Sequence, residues 1–403
     1  MTPSSRRPPR LLYVVNTDWF FLSHRLVLAE GAREAGFEVE VMTPDTGSAE
    51  EIRRAGFPHT ILPVSRDGLN PLTEAPALAK LVLLYRRIRP DIVHHVTPKP
   101  VLYGSMAARF IPRLRVVNAV SGLGYVFSSD QRSASVVRPL VRRLYRLALG
   151  HPRSRAIFQN PDDLAKFEEE RILPRDNALL IRGSGVDCSD FAPTSEPQGR
   201  PVVMLPSRML WDKGVGEFVE AARILRAEGS PARFVLVGDP DAGNPTSVPE
   251  AQLRGWEGEG LVEWWGRRSD MPAVLASANV VVLPSYREGL PKVLLEAAAC
   301  GRAIVTSDVP GCREVALEGT NALRVPPMNA PALAAAIRTL VEDPELRKRF
   351  GMAGRHLALS EFAVESVVAR TIEVYRELLA ETALEPETKS ARPAAAAESS
   401  TPR

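Results

Sequence analysis

Cysteine is scarce in this chain of 403 residues: Cys188, Cys300 and Cys312 are the only three. They form no CxxC pair, which excludes a disulfide framework and argues against a structural zinc site. Aromatic residues make up only 6% and show no stacking pattern among the arginines, so no nucleic-acid partner is expected. No apolar run approaches the roughly 20 residues that span a bilayer. The first such run, residues 11–15, stops at Asn16-Thr17-Asp18 and is too short for a signal-peptide core. Nor is there a large charge of either sign, since 51 Lys+Arg against 48 Asp+Glu leave +3. The expected location is the cytoplasm, at a membrane surface.

What is present is unevenly placed. Residues 1–190 hold 27 Lys+Arg and 20 Asp+Glu, an excess of seven positive charges, while residues 191–403 hold 24 and 28, an excess of four negative. A basic first half suits an anionic partner, and arginine favours bidentate contact with phosphate or carboxylate. Between Gln131 and Pro161 the seven residues Arg132, Arg138, Arg142, Arg143, Arg146, Arg153 and Arg155 occur without one acid. Val136, Val137, Leu140, Val141, Leu144, Tyr145 and Leu147 interleave with them at roughly helical spacing. Residues 132–148 therefore read as an amphipathic helix on an anionic leaflet, each basic residue adding about 1 kcal/mol. The alternative is a domain helix with a solvated arginine face.

With 45% apolar and 25% charged residues, the chain is an ordinary globular sequence long enough for two domains. Residues 11–15, 38–42, 60–64, 91–95 and 115–119 read as buried strands, separated by helical patterns at 23–35, 74–89 and 101–110. The rhythm restarts at 202–205, 234–237, 261–264, 280–283 and 303–306. In the helix after the first of these, Val215, Phe218, Val219, Ala222 and Leu225 fall on one face. Such alternation predicts an α/β chain of two doubly wound parallel-sheet, Rossmann-like domains facing across a cleft, with ligands at the carboxyl ends of the strands. The expected divisions are a flexible start at 1–10, a first domain at 11–190, a Pro- and Ser-bearing linker at 191–200, and a second domain from 201. Residues 383–403 form a low-complexity tail expected to be disordered.

The most informative segment is Ser285-Tyr-Arg-Glu288-Gly-Leu-Pro291-Lys-Val-Leu-Leu-Glu296. A buried strand enters a Glu-Gly-Leu-Pro turn, and a helix starts near Pro291, where proline costs nothing at the first position. The helix N-terminus offers N–H groups and positive dipole to a diphosphate, and the two carboxylates can accept from hydroxyls of one sugar nucleotide. Taken alone, the segment is equally a plain strand–turn–helix unit. Just after the domain's first strand comes Ser207-Arg208-Met-Leu-Trp-Asp-Lys213-Gly214.

These two segments together resemble glycosyltransferase family 4, whose members have the two-domain GT-B fold and retain anomeric configuration. The resemblance covers roughly residues 11–380. It implies that Arg208 and Lys213 bind the donor diphosphate, stabilising charge that grows on the leaving group. It also implies that Glu288 contacts the donor sugar, that Gly289, Leu290 and Pro291 line the donor site, and that Glu296 meets the ribose. A loop holding the nucleobase maps onto Gly266-Arg267-Arg-Ser-Asp270, where Asp270 is equally a helix cap. A closing helix at 361–382 is expected to cross back onto the first domain, so that the second domain ends at 360. No covalent nucleophile is implied, so the paired-carboxylate glycosidase scheme does not apply. Asp239-Pro-Asp241 matches the metal-binding Asp-x-Asp of the other major glycosyltransferase fold, but its setting reads as a turn; no metal and no cofactor are expected.

Five stretches of the first half resemble a bacterial branch acting on undecaprenyl-diphosphate-linked sugars: Phe21-Leu-Ser-His24-Arg25, Ser65 to Pro71, His95-Val-Thr-Pro-Lys99-Pro, Ser121 to Gly124, and Gly183 to Asp187. That resemblance implies a nucleotide-sugar donor and a polyprenyl-diphosphate-linked acceptor, with His24, Arg25, His95 and Lys99 as candidates to bind the acceptor. Two departures stand out. Asn16 to Phe21 replaces a Gly-rich loop common in the family, and no histidine follows the strand at 115–119. The general base is therefore open among His24, His94 and His95, each equally readable as a packed histidine. A nucleotide-sugar 2-epimerase of similar fold and a non-catalytic sugar-nucleotide-binding module are the competing readings.

Overall fold

The computed structural model describes residues 7–63, 71–120, 132–241 and 243–381. The stretches 64–70 and 121–131, the tail 383–403, and the side chains of Arg132, Arg138, Val136 and Val137 lie outside what is described. Among the described residues there are two sheets, of seven and six strands, and every pairing in both is parallel. The first comprises β1 (Arg10–Val15), β2 (Glu38–Thr43), β3 (His59–Ile61), β4 (Ile92–Val96), β5 (Arg115–Val120), β6 (Ser154–Phe158) and β7 (Ala178–Leu180), in the order β3-β2-β1-β4-β5-β6-β7. The second comprises β8 (Val202–Pro206), β9 (Arg233–Val237), β10 (Glu263–Trp264), β11 (Val280–Leu283), β12 (Ala303–Ser307) and β13 (Ala322–Val325), in the order β10-β9-β8-β11-β12-β13.

The strands are near-continuous apolar runs because helices cover both faces of each sheet. In the second sheet, Val203, Leu205, Val280 and Val282 pack under the helices Val215–Ala227 and Ala330–Glu342, through Phe218, Leu225, Leu333 and Ile337. The alternate residues Met204, Val281 and Leu283 point to the other face and meet Leu294, Leu295 and Ala298 of the helix Lys292–Ala299. The period of two along each strand thus distributes one sequence run between two cores.

Strand order reverses between β1 and β4 and again between β8 and β11. Open parallel sheets bind ligands beyond the carboxyl ends of strands at such a switch point. The segments at 207–213 and 285–291 leave β8 and β11, the two strands that flank it.

Several elements differ from expectation. The helix expected over 23–35 is two helices, Asp18–His24 and Leu26–Glu34, broken at Arg25 (φ −129°, ψ −12°). It starts earlier because Asp18, which is buried, accepts from Trp19 N, Thr46 N and Ser48 N and so anchors the first turn. Strands β6, β7 and β13 were not anticipated, and the strand expected at 261–264 is only Glu263–Trp264. After the helix Pro344–Glu361, the chain turns at Phe362 and the helix Val364–Glu381 lies on the first sheet. There the Tyr375 hydroxyl sits 2.9 Å from the Tyr13 hydroxyl and 2.6 Å from His94 Nδ1, while Val367, Ile372 and Leu378 join the core.

Candidate active site

The loop after β8 closes with Gly214 at φ +76°, and a Cβ there would lie 2.3 Å from the Pro284 carbonyl oxygen. Only glycine admits both that backbone conformation and that approach. The contact presses the Lys213 loop against the loop leaving β11. As a result Lys213 Nζ stands 2.5 Å from Glu288 Oε1, which also accepts from Ser285 Oγ at 2.7 Å. The pair is largely shielded, with side-chain exposures of 20% for Lys213 and 11% for Glu288. Gly311, at φ +77°, backs the same turn, where a Cβ would come 2.3 Å from Gly289 O.

Arg208 is exposed at the cleft. Its Nη1 donates to Asp241 Oδ2 at 2.7 Å, and its guanidinium carbon lies 5.9 Å from the ring centroid of Trp19 in the other domain. The following helix, Lys292–Ala299, begins one position later than expected: Pro291 (φ −74°, ψ 114°) is its N-cap, and no side chain caps it. Its first N–H groups are therefore available to an anion. Glu296 is buried in the second turn, 3.2 Å from Lys292 Nζ. Burial pushes its carboxyl above the ordinary range, partly offset by Lys292. Lys292 Nζ also donates to Ser23 O of the first domain at 2.9 Å.

Arg267 is held by its backbone, whose N–H donates to Asp239 Oδ1 at 3.0 Å. Asp270 is the N-cap residue of the helix Met271–Ala276, but its carboxylate makes no capping bond and instead takes Arg268 in a two-point pair at 2.8 and 2.6 Å. Both carboxylates of Asp239-Pro-Asp241 are thus committed, one to a backbone N–H and the other to Arg208. A groove of about 560 Å³ between Asp239, Glu250, Arg254 and Trp264 adjoins Gly266. Another cavity, about 650 Å³, lies at Arg10, Glu38 and Arg87 by the amino ends of β1 and β2, the edge that open α/β sheets do not use for ligands.

The acceptor candidates of the first domain separate. His24 stacks on Phe20 (4.1 Å, 3°) with Nδ1 2.6 Å from Ser23 Oγ. Its enclosure, followed by the charges of Arg25, Lys292 and Arg208, lowers its pKa to about 3, so it is neutral and faces the donor-side cations. Arg25 is 3% exposed, donates from Nη1 to His24 O, and has a buried Nε with no partner among the described residues. Lys99 is half-buried beyond β4, leading into a π-helical turn Pro100–Gly104. His95 is a correction. It is fully enclosed, with Nε2 2.9 Å from the Tyr85 hydroxyl and Nδ1 2.9 Å from Asn118 Oδ1. Both ring nitrogens serve the core, and none is left for an acceptor. His94 is likewise buried against Tyr13 and Tyr375.

Sequence reasoning missed Asp241 as the partner of Arg208, Trp19 as the aromatic opposite it, and Ser285 and Lys292 as neighbours of the two glutamates. The Asp-x-Asp pattern was the only available signal for the first. Trp19 stands where a Gly-rich loop was expected, and that departure was its signal.

Residues 10–160 match the family model described as Glycosyl transferase 4-like, and residues 200–343 that described as Glycosyl transferases group 1. The N,N'-diacetylbacillosaminyl-diphospho-undecaprenol alpha-1,3-N-acetylgalactosaminyltransferase of Campylobacter jejuni is 29% identical over 380 residues, covering 89% of this chain and 98% of that protein. The capsular polysaccharide biosynthesis glycosyltransferase CapM of Staphylococcus aureus is 23% identical over 340 residues, covering 80% and 85%. The fold of Anabaena HepE, solved in complex with UDP and glucose, superposes with a TM-score of 0.75 at 20% identity, covering 91% of this chain and 99% of that one. The chain therefore belongs to glycosyltransferase family 4, with the GT-B fold, and is a glycosyltransferase related to the bacterial enzymes that act on undecaprenyl-diphosphate-linked sugars.

Proposed function

We propose that the protein is a retaining, metal-independent transferase of bacterial surface polysaccharide or glycan biosynthesis. It takes a nucleotide sugar, a UDP-sugar such as UDP-N-acetylhexosamine, into the second domain and moves the sugar to a lipid-diphosphate-linked saccharide held by the first. The nucleotide sugar is a substrate, and no cofactor takes part. The observation that carries this reading is the convergence of Lys213, Glu288 and an uncapped helix N-terminus at one switch point, with Arg208 at its rim.

In this reading the leaving diphosphate exchanges Asp241 for itself on Arg208 and draws on Lys213 and the helix N–H groups. These donors stabilise the negative charge that develops as the glycosidic bond breaks. Glu288, freed from Lys213 by the phosphate, accepts from a hydroxyl of the donor sugar, and Glu296 accepts from the ribose. The nucleobase lies by Gly266 and Arg267, with Asp270 at the edge. The acceptor hydroxyl attacks the face from which the diphosphate departs and gives its proton to the departing phosphate oxygen, so configuration is retained. His24 and Arg25 border the acceptor side, and Lys99 lies farther along it.

The acceptor class is supported by the activity of the Campylobacter relative and by the basic excess of the first half. No described helix is long and apolar enough to cross a membrane. We place the protein in the cytoplasm, peripheral to the inner face of the cell membrane, held there by the helix Arg132–Leu149. Leu140 and Leu147 are 56% and 47% exposed on that helix, and Phe110 is 59% exposed nearby, giving the apolar and basic surface that an anionic leaflet takes up.

The test is to incubate purified protein with single UDP-sugars and a bacterial membrane lipid extract. The expected outcome is a glycolipid longer by one sugar, α-linked when an α-donor is supplied. An altered UDP-sugar formed without any acceptor would support an epimerase instead.

A further inference from the structure

We propose that Asn160 and Asp163 of the first domain are positioning residues for transfer: they grip the two residues that flank Glu288 and so make the donor loop complete only when the domains are docked. This rests on the assignment of Glu288 to the donor sugar.

Both residues open the helix Pro161–Glu169, immediately after β6. Asn160 is the N-cap, and its Oδ1 accepts from Asp163 N at 2.7 Å. Capping that helix needs nothing more. Yet Asn160 Nδ2 also donates across the domain gap to Gly289 O at 2.6 Å, and Asp163 Oδ1 accepts from Arg287 Nη2 at 2.8 Å. Asn160 Nδ2 reaches Asp163 Oδ2 as well, at 3.1 Å, which ties the two grips together.

Asn160 and Asp163 are 0% and 1% exposed. A carboxylate buried to that degree is costly unless it has a partner, and its cation comes from the other domain. Glu288 itself is held from within its own domain, by Lys213 and Ser285. The side chain before it and the carbonyl after it are therefore held by the first domain, and its carboxylate by the second. When the domains part, the Arg287 guanidinium and the Gly289 carbonyl lose these partners, and the loop that carries Glu288 keeps only the contacts of its own domain. Chemistry then waits on docking, which also removes water from the donor.

The test compares the full-length protein with Arg287→Ala, Asn160→Ala and the double variant Asp163→Ala/Arg287→Ala. Arg287 lies in a half-buried loop and caps nothing, and because its loss alone strands the buried Asp163 carboxylate, the double variant tests the grip without that unpaired charge. Three readouts apply: small-angle scattering with saturating UDP, amide exchange over residues 286–290, and steady-state transfer. The expected result is faster exchange at 286–290, a larger radius of gyration with UDP than wild type, and kcat lower by about 10²-fold with UDP affinity within threefold. Adding Asp163→Ala to Arg287→Ala should cost little more, since one contact serves both. Wild-type exchange and scattering in Arg287→Ala and Asn160→Ala would overturn the proposal. If no variant and no wild-type sample transfers sugar, the transferase reading fails, while exchange and scattering still decide the grip.

Discussion

Gly214 is the residue on which the site's geometry turns. Its positive φ and its packing against the Pro284 carbonyl, where a Cβ would have no room, bring Lys213 to Glu288. Gly214→Ala should therefore destabilise the protein by about 1–3 kcal/mol in urea denaturation and weaken UDP binding as well. A variant with unchanged stability and unchanged UDP affinity would show that the contact does not shape the site. Glu288, Lys213 and Arg208 were legible in the sequence because they sit in short local motifs whose spacing is fixed by one loop each. Asp241 and Trp19 were not, because their contacts with Arg208 join residues far apart in the chain. His95 misled for the opposite reason: its place at a strand end resembles a cleft position, but the neighbouring π-helical turn roofs it over, and Gly104 leaves no room for a Cβ against its ring.

At the scale of elements, strands with β-branched runs, such as β1, β8 and β11, were readable. β6 and β7 were not, because Ser154-Arg-Ala-Ile-Phe158 and Ala178-Leu-Leu180 carry little of that signal and rely on the sheet for their conformation. The arginine-rich helix was readable as amphipathic, but not the use to which its arginines are put. Arg142 pairs with Glu170 at 3.1 Å, and Arg146 donates to the carbonyls of Glu170 and Arg171. These two hold the helix to its own domain. Arg143 is exposed, beside Leu140 and Leu147. The triple variant Leu140→Gln/Arg143→Gln/Leu147→Gln should therefore lose most of its binding to vesicles containing anionic phospholipid, with an unchanged melting temperature. Undiminished vesicle sedimentation would refute the membrane role of this helix.

At the scale of the whole molecule, a chain of small net charge carries a basic first half and a mildly acidic second. In the proposed reading the second half holds its donor diphosphate with a few placed groups, Arg208, Lys213 and a helix N-terminus, and needs no broad positive field. The same burial that builds the cores depresses histidine pKa values: His95 and His151 to about 4, His24 to about 3, and His94 well below its ordinary value. Unfolded, each binds a proton near pH 6.5. Below that pH the unfolded chain takes up more protons than the folded one, so stability rises with pH across the window and is lost as pH falls. For the fully buried His95 the loss at pH 5 is on the order of 2 kcal/mol, and His94 adds in the same direction. The melting temperature should fall clearly between pH 7.5 and pH 5, and a flat profile would contradict the buried neutral state. The central claim, that Lys213 and Glu288 act on the donor, is tested most directly by the rate of sugar transfer from the UDP-sugar that supports turnover. Lys213→Ala and Glu288→Gln, both folded, should each lower kcat/KM by about 10²-fold or more, and transfer near the wild-type rate in either variant would contradict the account.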